Sequence, residues 1–275
     1  VAYLNALRYT RERKQGPSVK HFKDPTAPRV AIIEHADVRR MLLDMKARVE
    51  GIRALACKLA QHRDWYEILT HEGKGDANYH MGQIELLTPI LKAYGSDQAF
   101  RICETAIQTL GGVGYTADYG IEQYCRDSKV FSIYEGTNHI QAMDLIGRKL
   151  SMQNGAFAQA FQKDVNTFVE KYKDHKVYGG AVAMLAKAAA ALQAATMKLM
   201  QWFFSGQLEM VPLYSTRYLE MLAETTLGWL LLEQAVLEVV LTDLQDRSQE
   251  ALLAEINAAV ERRRAELEKA IELAE

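Results

Sequence analysis

The stretch of sequence that decides the fold is IQTLGGVGYTADYGIEQYCRDSKVFSIYEGTN, which covers residues 107–138. An apolar helical pattern ends at the pair Gly111-Gly112, and the stretch closes on IYEGTN, where Glu135 stands between an aromatic residue and a Thr-Asn pair. Glycine pairs end helices because glycine adopts backbone angles that other residues avoid. A carboxylate in an apolar, glycine-containing loop has the makings of a general base for a carbon acid. The hexapeptide alone nevertheless favours a plainer interpretation, a surface glutamate at the end of a helix.

On both sides of this stretch, apolar residues recur at three- and four-residue steps, which predicts amphipathic helices. The predicted helices cover residues 1–14, 38–59, 79–110, 121–129, 139–150, 157–172, 180–204, 213–244 and 248–275. Three prolines and a glycine make residues 15–29 a loop, and no segment shows a convincing strand pattern. The sequence therefore predicts an all-α fold of two antiparallel helical bundles in tandem, residues 1–154 and 155–275, divided near Gly155.

Local signals place the ends of several helices. Asp37 is a candidate cap for the first long helix. Pro89 and Gly95 mark positions where the second long helix is expected to bend or restart. Thr137 or Asn138 would cap the helix that follows Glu135, because a side-chain oxygen there can accept a hydrogen bond from the first unpaired N–H groups.

The composition argues against several classes of function. The chain has 275 residues, a net charge of -2 and a pI near 6.4, and so lacks the overall basic character of proteins that bind nucleic acid through phosphates. The apolar run over residues 229–240 is interrupted by Glu233, Gln234 and Glu238, and we do not expect it to span a membrane. No signal-peptide pattern opens the sequence.

Cysteine and histidine provide no metal or disulfide pattern. The sequence contains three cysteines: Cys57, Cys103 and Cys125. They form no CxxC pair, which predicts buried thiols of a reducing compartment without a catalytic role. Three histidines recur at intervals of nine residues: His62, His71 and His80. This spacing does not place them on one helical face, and no metal site is predicted.

The motifs of residues 107–138 resemble the C-terminal helical domain of the flavin-dependent acyl-CoA dehydrogenases. The resemblance covers about residues 1–150, and the helical region after Gly155 is similar to the domain appended in the longer bacterial members. It implies oxidation of an acyl-CoA to the trans-2-enoyl-CoA. Glu135 would remove the α-proton while the β-hydride passes to flavin N5, and its own backbone N–H would help to polarise the thioester carbonyl. Tyr134 and Gly136 would lie against the substrate.

The resemblance also implies a set of FAD contacts: Arg13, His35, Gln108, Gly111, Gly112, Thr137, Asn138 and His139. Arg13 would reach the pyrophosphate. Gln108 and the glycine pair would lie against the adenosine diphosphate part of an FAD held by the neighbouring subunit. The segment that begins at Thr137 would contact the flavin from a helix start, where unpaired N–H groups suit an anionic or polar ligand.

Each of these residues also has a structural interpretation. A glycine pair is an ordinary helix stop, Arg13 alone is typical of a solvated helix end, and a single histidine such as His35 at a helix start is more often structural. Two departures from the family pattern affect the flavin contacts. His139 replaces a glutamine found in some members, and Gln15 is followed by a glycine and a proline-containing insertion where many members have Phe-Gly.

The loop before Glu135 carries one further pair of charges. Arg126 and Asp127 could bind a phosphate or pair with each other, and we expect an ion pair that positions the loop. The family resemblance implies an acyl-CoA substrate, an electron-transfer flavoprotein as electron acceptor, and a homodimer or tetramer that shares the flavin site. It favours a bacterial cytoplasm over a mitochondrial matrix.

Two alternatives remain open from the sequence alone. The chain could be a non-catalytic helical assembly module of this family that binds no flavin, because the domains that would complete a flavin pocket lie before Val1 in family members. It could also be a family member associated with DNA, against which the acidic pI argues.

Overall fold

The computed structural model describes residues 1–73, 75–245 and Ala258. Its helices are α1 (Ala2–Glu12), α2 (Ala36–Glu72), α3 (Ala77–Leu110), α4 (Ile121–Ser128), α5 (Asn138–Gly147), α6 (Ala156–Tyr172), α7 (Gly179–Phe204) and α8 (Met210–Gln245). The predicted all-α fold is confirmed, and the helix bounds agree with the prediction to within a few residues, except that α2 continues to Glu72 where the prediction ended at residue 59. The helix predicted over residues 248–275 lies, apart from Ala258, outside the described residues.

A short β-hairpin corrects the prediction that residues 15–29 are loop alone. Strands β1 (Lys14–Pro17) and β2 (Arg29–Ala31) pair antiparallel, with Lys14 opposite Ala31. Strands of three and four residues are too short to show an alternating pattern in the sequence. Pro17 is accommodated because it ends a strand at a sheet edge, where no N–H is needed.

The structure corrects one predicted helix cap and shows that α3 does not restart. His35 rather than Asp37 holds the N-cap position of α2, and Asp37 instead pairs with Arg40 at 2.7 Å within the first turn. Helix α3 passes through Pro89 and Gly95 without interruption. A proline removes only one backbone donor from a helix, and in α3 the surrounding packing retains the helical path.

Helices α2 and α3 form a long antiparallel pair that contributes to two buried clusters. One cluster joins α1, α2, α3 and α4 around Met45 and Ile121. The other joins α2, α3 and α5 to α6, α7 and α8, and includes Leu86, Leu145 and Leu222. The second cluster thus crosses the predicted division near Gly155, which remains a prediction.

The cysteines and α7 differ in burial from what their residue types suggest. Cys103 is buried and Cys125 half-buried, and burial raises the pKa of both thiols, but Cys57 is exposed, so the prediction of three buried thiols was wrong. Among the described residues, α7 is long and apolar enough to cross a membrane by length and composition alone. One side of α7, with Val182 and Leu192, packs in the bundle core, and Met184 and Met197 of the same helix are exposed.

Candidate functional site

The glutamate of IYEGTN lies in an exposed loop between a 3₁₀ turn (Lys129–Ser132) and α5. Glu135 has φ +52° and Gly136 has φ +77°. A left-handed conformation is unusual for a residue with a side chain and stores roughly 1 kcal/mol or more of strain. The side chain of Glu135 is exposed, and among the described residues its backbone N–H makes no hydrogen bond. Both the carboxylate and the N–H are therefore available to a ligand.

One lysine of α3 reaches into the concave side of this loop. The ammonium of Lys92 donates hydrogen bonds to the carbonyl oxygens of Phe131 at 3.3 Å, Tyr134 at 3.1 Å and Gly136 at 2.8 Å. It also donates to Oδ1 of Asn138 at 3.1 Å. The loop backbone is thus bound to the middle of α3.

Asn138 attaches the end of the same loop to α3. Its Nδ2 donates to the carbonyl of Ala93 at 3.0 Å and to Oγ of Ser96 at 2.9 Å, and its Oδ1 accepts from Lys92. The residue is 8% exposed. Both polar atoms of the side chain are satisfied within the chain, so the side chain has no free group to offer the flavin that the sequence assigned to it. We assign Asn138 the role of a loop anchor.

The first turn of α5 leaves other groups accessible. Thr137 occupies the N-cap position, but its side chain makes no hydrogen bond to the helix, so the predicted side-chain cap was wrong. Thr137 is exposed, and its hydroxyl is available to a ligand. His139 is also exposed, although its Nδ1 lies 3.2 Å from Oγ1 of Thr216 on α8. This contact fixes the imidazole beside the helix start.

A shallow, open pocket of about 260 Å³ lies between α3 and the loop. Its walls include Lys92 and Gly95 from α3, and Phe131, Tyr134 and Glu135 from the loop. Such a volume is slightly below the range of roughly 300–1,000 Å³ that encloses a small-molecule ligand. The residues that line the pocket therefore form one wall of a ligand site, and Glu135 lies at the edge of that wall.

The second predicted contact region, at the end of α3, is an open glycine turn. Gln108, Gly111 and Gly112 are exposed, and Gly111 has φ +67°. No described atom lies within 4 Å of the position that a Cβ would take at either glycine. The turn can therefore accept a close ligand, which fits the adenosine diphosphate part of FAD. Gly114 differs, because a Cβ there would lie 2.7 Å from the carbonyl oxygen of Ile107.

Helix α3 separates the two regions. Leu110, at its end, lies eighteen residues beyond Lys92, or about 27 Å along the axis at roughly 1.5 Å per residue. The structure therefore does not bring Glu135 together with Gln108 and the glycine pair within one copy of the chain.

Arg13 ends α1 near the glycine turn. Tyr9, one helical turn earlier, packs edge-on against Tyr119 with ring centroids 5.5 Å apart, and Tyr119 belongs to the segment that follows the turn. Arg13 is exposed, and within the described residues its guanidinium has no hydrogen bond or ion pair. It is available to a phosphate of a ligand bound beside the turn.

His35 has a structural contact instead. Its Nε2 lies 2.8 Å from the carbonyl oxygen of Gln15, and its ring atoms lie 3.7 Å or more from the position that a Cβ of Gly16 would take. The histidine thus connects β1 to the start of α2. This supports the structural interpretation that the sequence left open for His35.

Several contacts of the site differ from those predicted or were not predicted at all. Arg126 pairs with Glu122 on its own helix, so the predicted pair with Asp127 was wrong. Lys92 and Ser96 were not identified from the sequence. The one available signal was their spacing of four residues, which places two polar groups on the same side of a mostly apolar helix.

The fold and these contacts define a helical domain that presents a glutamate loop at one point and a glycine turn at another. The chain belongs to the acyl-CoA dehydrogenase family. The family model described as "Acyl-CoA dehydrogenase, C-terminal domain" matches residues 3–150. A second model, "Acetyl-CoA dehydrogenase C-terminal like", matches residues 161–260.

Bacterial relatives extend the match over most of the chain. The "Broad-specificity linear acyl-CoA dehydrogenase FadE5" of Mycobacterium tuberculosis is 37% identical over 248 residues, which cover 88% of this chain and 40% of that protein. A butyryl-CoA dehydrogenase of Syntrophomonas wolfei is 36% identical over 238 residues, or 86% of this chain and 38% of that protein. The chain thus spans about two fifths of the length of these relatives.

Solved structures share the fold at lower identity. ACDH-11 of Caenorhabditis elegans, solved with C11-CoA, matches 84% of this chain and 36% of its own with a TM-score of 0.62 and 22% identity. Acyl-CoA oxidase-1 of the same organism, solved with FAD and ATP, matches 91% of this chain and 38% of its own with a TM-score of 0.57 and 17% identity.

Proposed function

We propose that the chain is the C-terminal part of an FAD-dependent acyl-CoA dehydrogenase that oxidises an acyl-CoA to the trans-2-enoyl-CoA. Family membership supports the reaction class. The observation that carries the proposal is the conformation of Glu135: an exposed carboxylate with φ +52°, in a loop that Lys92 and Asn138 hold against α3. The bacterial relatives named for linear acyl and butyryl substrates favour an unbranched acyl chain and a bacterial cytoplasm.

Glu135 acts as the base that removes the α-proton. A fixed carboxylate next to the apolar side chains of Ile133 and Tyr134 becomes desolvated when a substrate covers the loop, which favours proton abstraction from carbon. The free N–H of Glu135 donates to the thioester oxygen, where negative charge develops as the proton leaves. One residue thus provides both the base and a donor for the oxyanion.

FAD, the cofactor of the family, supplies the hydride acceptor when bound. Thr137 and His139, at the start of α5, would hold the part of the cofactor near Glu135. Gln108, the glycine pair and Arg13 would hold its adenosine diphosphate part in another copy of the chain. The distance of about 27 Å along α3 between the regions supports this division, and with it a homodimer or tetramer. Reduced flavin would pass its electrons to an electron-transfer flavoprotein.

The test is the substitution Glu135→Gln in the complete flavin-containing enzyme, with Glu170→Gln as a control at an exposed glutamate of α6. The isosteric amide keeps the shape and cannot take a proton. We expect the flavin to stay bound while its bleaching by an acyl-CoA slows by at least about 100-fold. Bleaching at nearly the wild-type rate would exclude Glu135 as the base. A wild-type protein that binds no flavin would support the non-catalytic alternative.

A further inference from the structure

The contacts of Lys92 account for the unusual backbone of the glutamate loop. Its ammonium has three N–H groups and lies within hydrogen-bonding distance of four oxygen atoms: the carbonyls of Phe131, Tyr134 and Gly136, and Oδ1 of Asn138. All four acceptors are neutral. The lysine therefore does not serve as half of an ion pair here, and its positive charge is directed at a set of converging carbonyl dipoles.

Converging carbonyls repel one another unless a cation or several donors lie between them. The carbonyls of Tyr134 and Gly136 flank Glu135, and both point at the same ammonium. The backbone between these two carbonyl oxygens consists of Glu135 and Gly136, and both residues are in the left-handed region, with φ +52° and +77°. The conformation of Glu135 and the position of Lys92 are thus parts of one arrangement.

The next turn of the same helix provides a second attachment. Ser96 lies four residues after Lys92 and bonds the amide of Asn138, which also receives a hydrogen bond from Lys92. The loop is consequently fixed on both sides of Glu135. Because α3 lies in both buried clusters, its position is set by the whole fold.

We infer that Lys92 is a positioning residue for the proton transfer. It holds the loop in the conformation that points the carboxylate and the N–H of Glu135 to the substrate. The inference rests on the proposed function for its catalytic consequence, whereas the ordering of the loop by Lys92 can be measured without any reaction.

The first measurement is hydrogen exchange of the loop in Lys92→Met, which keeps the length of the side chain and removes every donor. Lys187→Met, at an exposed lysine of α7, is the matched control. The amides of Ile133 and Tyr134 both bond the carbonyl of Val130 and report on loop order. We expect them to exchange at least about tenfold faster in Lys92→Met, with the α3 amides and the control unchanged. Unchanged exchange in the loop would overturn the inference.

The second measurement uses the complete flavin-containing enzyme. Lys92→Met should lower kcat by about 10–100-fold, because a displaced base loses its alignment, while KM and flavin content stay within about twofold. Lys92→Arg retains charge and donors and should recover part of kcat. A parallel loss of flavin or of the thermal midpoint, with no recovery in Lys92→Arg, would mean that Lys92 supports only the fold and would overturn the inference.

The two measurements distinguish a failure of this inference from a failure of the proposed function. If Glu135→Gln retains activity, the assignment of the base fails, and the exchange of the Ile133 and Tyr134 amides still decides whether Lys92 orders the loop. If Lys92→Met does not fold, Lys92→Gln, which keeps one amide donor without charge, takes its place in both measurements. A Lys92→Gln protein with wild-type exchange and wild-type kcat would overturn the inference equally.

Discussion

At the scale of single residues, the side chains that matter most are those whose polar groups are fully used inside the chain. The side chain of Asn138 is one example, since it is 8% exposed and bonded to Ala93, Ser96 and Lys92. Removing one partner from a buried hydrogen bond costs about 1–3 kcal/mol, because the groups left behind are not solvated. The flavin contact that the family resemblance implies for Asn138, beside Thr137 and His139, stays a prediction, and within the chain its side chain attaches the loop to α3.

The histidine pair between α2 and α3 is a second example, away from the site. His62 is 5% exposed, and its Nδ1 lies 3.0 Å from Nδ1 of His80. One of the two nitrogens must donate and the other accept, which requires that at least one ring is neutral. Burial lowers the pKa of His62 from 6.5 to about 4, with smaller effects from the charges of His80 and Lys58.

The low pKa of His62 in the folded chain predicts that the protein loses stability in mild acid. The unfolded chain binds a proton at His62 near pH 6.5 and the folded chain only near pH 4, so the unfolded state gains protons first as the pH falls. The free energy of unfolding should decrease between pH 6.5 and 4 by up to about 3 kcal/mol and be independent of this group above pH 6.5. Thermal unfolding at a series of pH values tests this.

The control for the acid effect lies on the same helix. His71 is exposed near the end of α2, and His71→Gln should retain the acid dependence. His62→Gln should reduce it, because the titrating group is gone. An equal acid dependence in His62→Gln and the wild type would contradict the assignment to this pair.

The sequence could predict the candidate base but not the residues that hold it. Glu135 can be recognised from the sequence because its motif, with Tyr134 and Gly136 on either side, is contiguous in the chain. Lys92 contacts Asn138 across 46 residues of sequence, and His62 meets His80 between two helices. Helical periodicity gives the face on which a residue lies, but not which residue of another helix it meets.

At the scale of elements, α3 is the central helix of the fold. It contributes to both buried clusters, holds the glutamate loop at its centre and ends at the glycine turn. Its 3.6-residue pattern was visible in the sequence, and its continuity through Pro89 was not, because that depends on tertiary packing. The hairpin of β1 and β2 was missed for a related reason, since its strands are defined by pairing with each other and not by their own pattern.

Close packing of α3 against α6 leads to a prediction at this scale. A Cβ at Gly82 would lie 2.1 Å from the ring of Phe157, which is itself buried. Alanine normally stabilises a helix interior by about 1 kcal/mol over glycine, but overpacking a core costs about 1–3 kcal/mol. We therefore expect Gly82→Ala to lower the free energy of unfolding, as measured by denaturant titration.

A second glycine provides the matched control. Gly228, in the interior of α8, has no described atom within 4 Å of its Cβ position. Gly228→Ala should show the helix preference alone and stabilise the chain slightly. If Gly82→Ala were as stable as Gly228→Ala, the tight contact of α3 with α6 would be wrong.

At the scale of the whole molecule, the candidate flavin contacts occupy two places that one copy of the chain does not bring together. The glutamate loop and the start of α5 lie beside the middle of α3, and Gln108 with the glycine pair lies about 27 Å further along it. The sequence predicted the helical fold because periodic patterns and glycine stops are local. The family resemblance implied that Gln108 and the glycine pair serve a neighbour's FAD, and the unbroken length of α3 provides the separation that this division requires.

Gly112 offers a test of the shared site that does not depend on the stability of the chain. Gly112 is exposed, has no positive φ, and has no described atom within 4 Å of its Cβ position. We therefore expect the fold of the chain to tolerate Gly112→Val. If the adenosine diphosphate part of a neighbour's FAD lies there, the added side chain occupies its space. We expect flavin retention in the complete enzyme to fall at least about tenfold, as measured by the flavin-to-protein absorbance ratio after dialysis.

The comparison variant is Gly147→Val, at an exposed position near the end of α5 with equally open surroundings. It should keep its flavin, and both variants should unfold at the same temperature when freed of flavin. Mixing supplies the decisive observation. If the glycine turn serves the FAD of another copy, hetero-oligomers of Gly112→Val with Glu135→Gln subunits should contain some sites with an intact base and an intact turn. Such mixtures should recover part of the acyl-CoA-driven bleaching that neither parent shows. Without any recovery in oligomers shown to have mixed, both contact regions would have to belong to the same copy, and the arrangement of the flavin along α3 would have to be rejected.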